Sequence, residues 1–145
     1  MIFPRRNGRF GALTASAEEL SAIPLFSSLS DADLLELTKW FDVQTAGEGV
    51  RLTGEGAAGY SFFILTQGGA VVTSEGADLA MLGPGDFFGE MAILGNGRRT
   101  ATVTTTSAAR LLVMFGTEFR ELQQAQPEIA ARIEEAMRQR MAARS

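Results

Sequence analysis

Glycine recurs every few residues between Gly47 and Gly97, and the short runs between these glycines are rich in β-branched and aromatic side chains. Residues 60–66, 70–73, 100–106 and 110–115 are such runs, too short for helices and bounded by turn residues. They read as strands of a mainly β fold, a sandwich, roll or barrel, and not as alternating strand–helix units. Gly68-Gly69 predicts a hairpin between two of them. Gly83-Pro84-Gly85-Asp86 predicts a turn, because proline presets φ and glycine accepts a positive one. Helical patterns flank this region. Ser16-Ala17-Glu18-Glu19 has the form of a capping box, and Ser30-Asp31-Ala32-Asp33 makes a second cap. Leu34, Leu35, Leu37, Trp40 and Phe41 then give an apolar helical face. Pro24-Leu25-Phe26 separates the two helices as a tight turn with Phe26 packed inward. After Gly116, Thr117 is the expected cap, with Phe119 and Leu122 on one face. Pro127 suits the first turn of a last helix, along which Ile129, Ile133, Met137 and Met141 recur every four residues. With no internal repeat, 1–14 reads as a flexible tail and 15–145 as one domain. The 145 residues, 46% hydrophobic, suffice for one core.

Composition narrows the chemistry. The chain has no cysteine and no histidine. That removes disulfides, thiolate metal sites, the thiol nucleophile and the commonest general base and metal ligand, so an enzyme is not expected. A net charge of −4 argues against a general nucleic-acid binder. No apolar run approaches the roughly 20 residues that span a bilayer. Arg5, Arg6 and Arg9 near the start are followed by no apolar stretch of a signal peptide. The expected location is the cytoplasm, without membrane or nucleic-acid partners, and no metal or cofactor is expected.

The informative stretch is Phe87-Phe88-Gly89-Glu90-Met91-Ala92-Ile93-Leu94 followed by Gly95-Asn96-Gly97-Arg98-Arg99-Thr100-Ala101-Thr102-Val103. A strand ending at Phe88 gives way to a short helix near Gly89, whose first amides favour an anion that glycine lets come close. A glycine-bounded loop then returns to a new strand that opens with Arg99, whose planar fork suits the two free oxygens of a phosphate. Glu90 would repel a bare phosphate, so its natural partner is a sugar hydroxyl. Together these groups call for a ligand with one anionic phosphate and a nearby free hydroxyl.

Phe88-Gly89-Glu90-Met91-Ala92 and Arg99-Thr100-Ala101-Thr102-Val103 resemble the phosphate-binding cassette of cyclic-nucleotide-binding domains. That family includes catabolite activator protein, regulatory subunits of cyclic-nucleotide-dependent kinases, and cyclic-nucleotide-gated channels. Pro24-Leu25-Phe26 resembles its opening turn. Ala46-Gly47-Glu48 and Phe62-Phe63-Ile64-Leu65-Thr66-Gln67-Gly68 resemble its first strands, and Leu82-Gly83-Pro84-Gly85-Asp86-Phe87 its lead into the cassette. The resemblance implies an eight-stranded antiparallel β-roll, jelly-roll-like, with N-terminal helices and C-terminal lid helices. It implies a receptor for cAMP or, less favoured, cGMP that changes conformation on binding. The alternative is an interaction module of the same fold that no longer responds to a cyclic nucleotide.

By the same resemblance the ligand-binding residues are Phe88, Gly89, Glu90, Met91, Ala92, Arg99, Thr100 and Arg140. Arg99 binds the cyclic phosphate and Glu90 the ribose 2′-hydroxyl. The amides of Gly89 and Ala92 help hold the sugar-phosphate, and Thr100 adds a hydroxyl contact that permits cGMP without requiring it. The last helix opens with Pro127-Glu128-Ile129-Ala130, similar to bacterial cyclic-nucleotide-gated potassium channels. Late in it, Arg140 is the candidate to stack on the purine, with Met137 as second choice. The chain departs from the pattern in a turn at 55–61 about two residues longer than usual, and in Arg98 where proline is frequent. No helix-turn-helix is expected after the last helix. The expected partner is an unidentified protein effector, and the expected state a monomer or weak homodimer.

Overall fold

Both predicted serine caps form in the computed structural model, which describes residues 14–53, 61–94 and 101–144. The Ser16 hydroxyl accepts from the Glu19 N–H at 3.0 Å and opens α1 (Ala17–Ser21). Ser30 and Asp33 close a reciprocal box at the head of α2 (Asp31–Leu37), at 3.1 and 3.2 Å. Between them Pro24–Phe26 forms a 3₁₀ turn that buries Leu25 and Phe26. Leu34, Leu37 and Phe41 are buried as their spacing predicts. Leu35 is not: it stands 63% exposed, because its 100° step from Leu34 carries it off the inward face.

Eight strands follow among the described residues: β1 (Asp42–Ala46), β2 (Arg51–Thr53), β3 (Ser61–Gln67), β4 (Ala70–Ser74), β5 (Ala77–Leu82), β6 (Phe87–Phe88), β7 (Thr102–Thr105) and β8 (Ala109–Phe115). They form two four-stranded sheets in the orders β1-β8-β3-β6 and β2-β7-β4-β5, with every pairing antiparallel. This is a jelly roll, the expected fold. Gly68-Gly69 is not a hairpin. β3 lies in the first sheet and β4 in the second, so these glycines carry the chain across. The tight hairpin lies at Glu75-Gly76, which joins Ser74 to its partner Ala77 with φ of 52° and 80°. Positive φ at both central residues is the primed turn whose twist suits paired strands.

One core cluster joins the first sheet to the helices, and a second fills the space between the sheets. α3 (Met91–Leu94) follows β6, and α4 (Gly116–Ala125) follows β8. Thr117 does not cap α4. The Glu118 carboxylate accepts from the Phe115 N–H at 2.9 Å and does that work from within the first turn. Gly116 lets α4 approach α3, since a Cβ there would stand 2.8 Å from the Ala92 carbonyl oxygen. Phe119 and Leu122 are buried. α5 (Pro127–Arg144) lays Ile129, Ile133 and Met137 into the helical core. No described helix is long and apolar enough to cross a membrane.

An ion pair ties the N-terminal helix to the roll. Arg110 on β8 donates through Nε to Glu19 at 2.8 Å and through Nη2 at 3.1 Å. The guanidinium's hydrogen bond holds the Glu19 carboxyl below its ordinary value against the opposing effect of desolvation. A lowered native pKa makes this stabilisation complete above the unfolded glutamate range, and it fades as pH falls through the native value. Glu19→Gln is therefore expected to lower stability by about 1 kcal/mol at neutral pH, with the difference closing under acid. Urea unfolding at pH 7 and below pH 4 checks this; a difference of equal size at both would refute it.

Candidate ligand-binding site

A cleft of about 500 Å³ opens between the β6–α3 turn and the inner face of the second sheet. Asp86, Phe87, Phe88, Gly89 and Glu90 form one side. The other side is a single cross-strand row. Thr53 pairs with Val103, Val103 with Val72, and Val72 with Ala80, and all four line the cleft. Leu82, Met81 and Ala101 extend this wall, and Met141 of α5 reaches its edge.

The β6–α3 turn is held from behind. The Asp86 carboxylate accepts from the Gly83 N–H at 2.8 Å, closing the predicted Gly-Pro-Gly-Asp turn. Backbone bonds between Leu65 and both Gly85 and Asp86, at 2.7 and 2.8 Å, fix that turn to β3. Phe88 stacks on Phe63 with ring centroids 4.8 Å apart, and Phe87 packs against Phe62. The chain then reverses at Gly89, where φ is +77°, a conformation that side-chain-bearing residues rarely take. The Glu90 carbonyl accepts from the Ile93 and Leu94 N–H groups at 2.9 and 2.8 Å, and its half-buried residue lines the cleft. Thus Glu90 lines a space sized for a small molecule, opposite a wall that is apolar apart from Thr53.

Of the residues singled out by sequence, Phe88, Gly89 and Glu90 come together at the cleft. Met91 opens α3. Ala92 is buried in the helical core, and its N–H donates to the Gly89 carbonyl at 3.1 Å, so that amide is already engaged. Arg99 and Thr100, with the long turn after Thr53 and Arg98, lie outside the described residues; Ala101, next in the chain, lines the cleft. Arg140 does not reach it. It is exposed and borders a separate groove with Pro24, Ser27, Ser28 and Arg132. The stripe that buries Ile129, Ile133 and Met137 brings Met141 to the cleft, and Arg140 sits a 100° step off that line. Met137 is fully buried in the helical core and is not at the cleft. Sequence reasoning missed the opposing wall. Its signal was the alternation in Ala101-Thr102-Val103-Thr104, which sets two apolar side chains on one face.

The fold and cleft define a jelly-roll domain with a ligand-sized space between a glycine-turned helix start and an apolar sheet. Residues 44–126 match the sequence profile of the cyclic nucleotide-binding domain, more than half of the 145-residue chain, and the chain belongs to that family. It is 32% identical over 114 residues to a cyclic nucleotide-gated potassium channel of Rhizobium etli, covering 79% of this chain and 32% of the channel. It is 35% identical over 106 residues to a cAMP-dependent protein kinase regulatory subunit of Mycosarcoma maydis, covering 68% of this chain and 20% of that one. The chain thus spans about a third and a fifth of the lengths of these relatives. A cyclic nucleotide-binding domain from Methylobacillus flagellatus shares the fold with a TM-score of 0.78 at 21% identity, over 88% of this chain and 75% of that one.

Proposed function

We propose that the cleft receives a cyclic nucleotide, cAMP in preference to cGMP, and that binding shifts the position of α5. The observation that carries this is Glu90 at one side of a ligand-sized cleft whose opposite wall is apolar apart from Thr53. In this reading Glu90 accepts from the ribose 2′-hydroxyl, Gly89 allows close approach, and Arg99 with Thr100 holds the phosphate. The purine lies against Val72, Ala80 and Leu82. That wall has no polar partner for the additional edge groups of guanine, which favours adenine. The module releases its ligand unchanged, works in the cytoplasm and signals to a protein effector.

Titration calorimetry of nucleotide-stripped protein with cAMP and cGMP tests the reading. One saturable site per chain, tighter for cAMP, is expected; no heat from either, with the fold intact, overturns it. Glu90→Ala should weaken cAMP by roughly tenfold and leave a 2′-deoxy analogue nearly unaffected. Equal losses for both ligands would contradict the ribose role.

The switch follows from the same placement. Ile129, Ile133 and Met137 anchor α5 in the core, and Met141 is the α5 residue at the cleft. A ligand that touches Met141 favours arrangements in which that end closes over it, and only in proportion to its preference for them. Hydrogen exchange should slow along α5 on addition of cAMP. Unchanged amides between Ile129 and Met141 would remove the switch.

A further inference from the structure

β2 is three residues long, and its ladder to β7 pairs Arg51 with Thr104 and Thr53 with Val103. Two steps along β2 therefore match one along β7, and the strand carries a bulge at Leu52. A regular strand alternates, and would send Thr53 to the same outer side as Arg51. The bulge keeps Leu52 against the inter-sheet core and turns Thr53 inward as well. There Thr53 is 8% exposed and lines the cleft. Its hydroxyl has no hydrogen-bond partner among the described residues. Thr105 in the same sheet shows the usual arrangement: its buried hydroxyl donates to the Gly47 carbonyl at 2.6 Å and accepts from the Val50 N–H at 2.8 Å. A buried hydroxyl without a partner is destabilising and asks for an explanation.

We infer that Thr53 is a further ligand-binding residue of the cleft, its hydroxyl donating a hydrogen bond to a phosphate oxygen of the bound nucleotide. The inference rests on the cyclic-nucleotide reading above. Thr53 begins the row that ends at Ala80, three strand spacings and about 14 Å away. Val72, Ala80 and Leu82 occupy the far part of the wall and suit a purine. Thr53 instead adjoins β7, whose Ala101 and Val103 line the cleft and which follows directly on Arg99-Thr100 in the chain. The hydroxyl therefore stands at the sugar-phosphate end, where a donor to an anionic oxygen forms the stronger kind of hydrogen bond. The phosphate is common to cAMP and cGMP, so Thr53 sets affinity and leaves base choice untouched.

The test is titration of stripped wild type, Thr53→Val and Thr53→Ser with both nucleotides, together with thermal unfolding of each without ligand. Thr53→Val should weaken cAMP and cGMP by similar factors of about tenfold. Thr53→Ser should stay within about twofold of wild type. Ligand-free Thr53→Val should melt no lower than wild type, because the hydroxyl it removes holds nothing among the described residues. Unchanged binding by Thr53→Val overturns the contact. A loss for one nucleotide alone moves the hydroxyl to the base and overturns the phosphate assignment. A lower melting temperature for Thr53→Val shows a hydroxyl bonded within the protein and overturns it too. Failure of wild type to bind either nucleotide is a different result, which removes the receptor reading and this contact with it.

Discussion

Arg99→Ala is expected to lower cAMP affinity by about 2–5 kcal/mol, or roughly 30- to 4,000-fold. The reason is a charge balance in the cleft. Its described lining contains two acids, Asp86 and Glu90, and no lysine or arginine. The chain as a whole is acidic, with a net charge of −4. A nucleotide phosphate entering that space meets carboxylates, apolar surface and the Thr53 hydroxyl, none of which supplies the positive charge that compensates an anion removed from water. The cassette supplies Arg99 at the point in the sequence where the resemblance sets the phosphate. Truncating it leaves the anion without its cation, and most of the loss should appear as faster dissociation. Arg99→Lys separates charge from geometry: an ammonium restores a point charge without the two-pronged fork, so its affinity should fall between those of wild type and Arg99→Ala. Calorimetry, with stopped-flow dissociation, measures both. Arg99→Ala binding within twofold of wild type would end the proposed phosphate role.

Local chemistry was legible in the sequence wherever one residue type has one structural use. Ser16 and Ser30 cap helices because short hydroxyl side chains accept from amides that no helical carbonyl reaches. The Gly83–Asp86 turn and the helical stripe of Ile129, Ile133 and Met137 follow in the same way. The misreading of the strands has a cause in composition, which can leave a strand with little trace of its own. β5, Ala77–Leu82, has no β-branched residue and is exposed along most of its length, so nothing in its own composition marks it as a strand. Its hairpin turns on Glu75-Gly76, a weaker signal than Gly68-Gly69. The site was half legible. The cassette residues at the β6–α3 turn are contiguous in the chain and could be read as a unit. The facing wall is assembled from β2, β4, β5 and β7, and Thr53 joins it through a bulge that no alternation rule foresees. On α5 the sequence pointed to Arg140, with Met137 second; the structure sets Met141 at the cleft, one residue from Arg140, and one residue turns a side chain by 100°.

Gly68→Ala is expected to destabilise the fold by about 2–6 kcal/mol, the sum of left-handed strain of ~1–3 and overpacking of ~1–3. Gly68 ends the crossing strand with φ at +86°, and a Cβ there would strike the carbonyl oxygen of Ala108 and stand 2.9 Å from the Ala109 Cα. Both atoms are backbone, the first in the residue just before β8 and the second in its first residue, Ala109, which is buried and pairs with Ala46 of β1. Neither can turn aside as the end of a flexible side chain could. Gly76→Ala supplies the control. Its φ is +80°, almost the same, but a Cβ there meets nothing within 4 Å. It should cost only the conformational term, about 1 kcal/mol. The difference between the two variants in chemical unfolding therefore isolates the contact between the crossing and β8 from the strain that both positions carry. If Gly68→Ala costs no more than Gly76→Ala, the approach of the crossing to Ala108 is loose. In that case glycine at 68 serves its backbone angle alone and does not hold the two sheets in register.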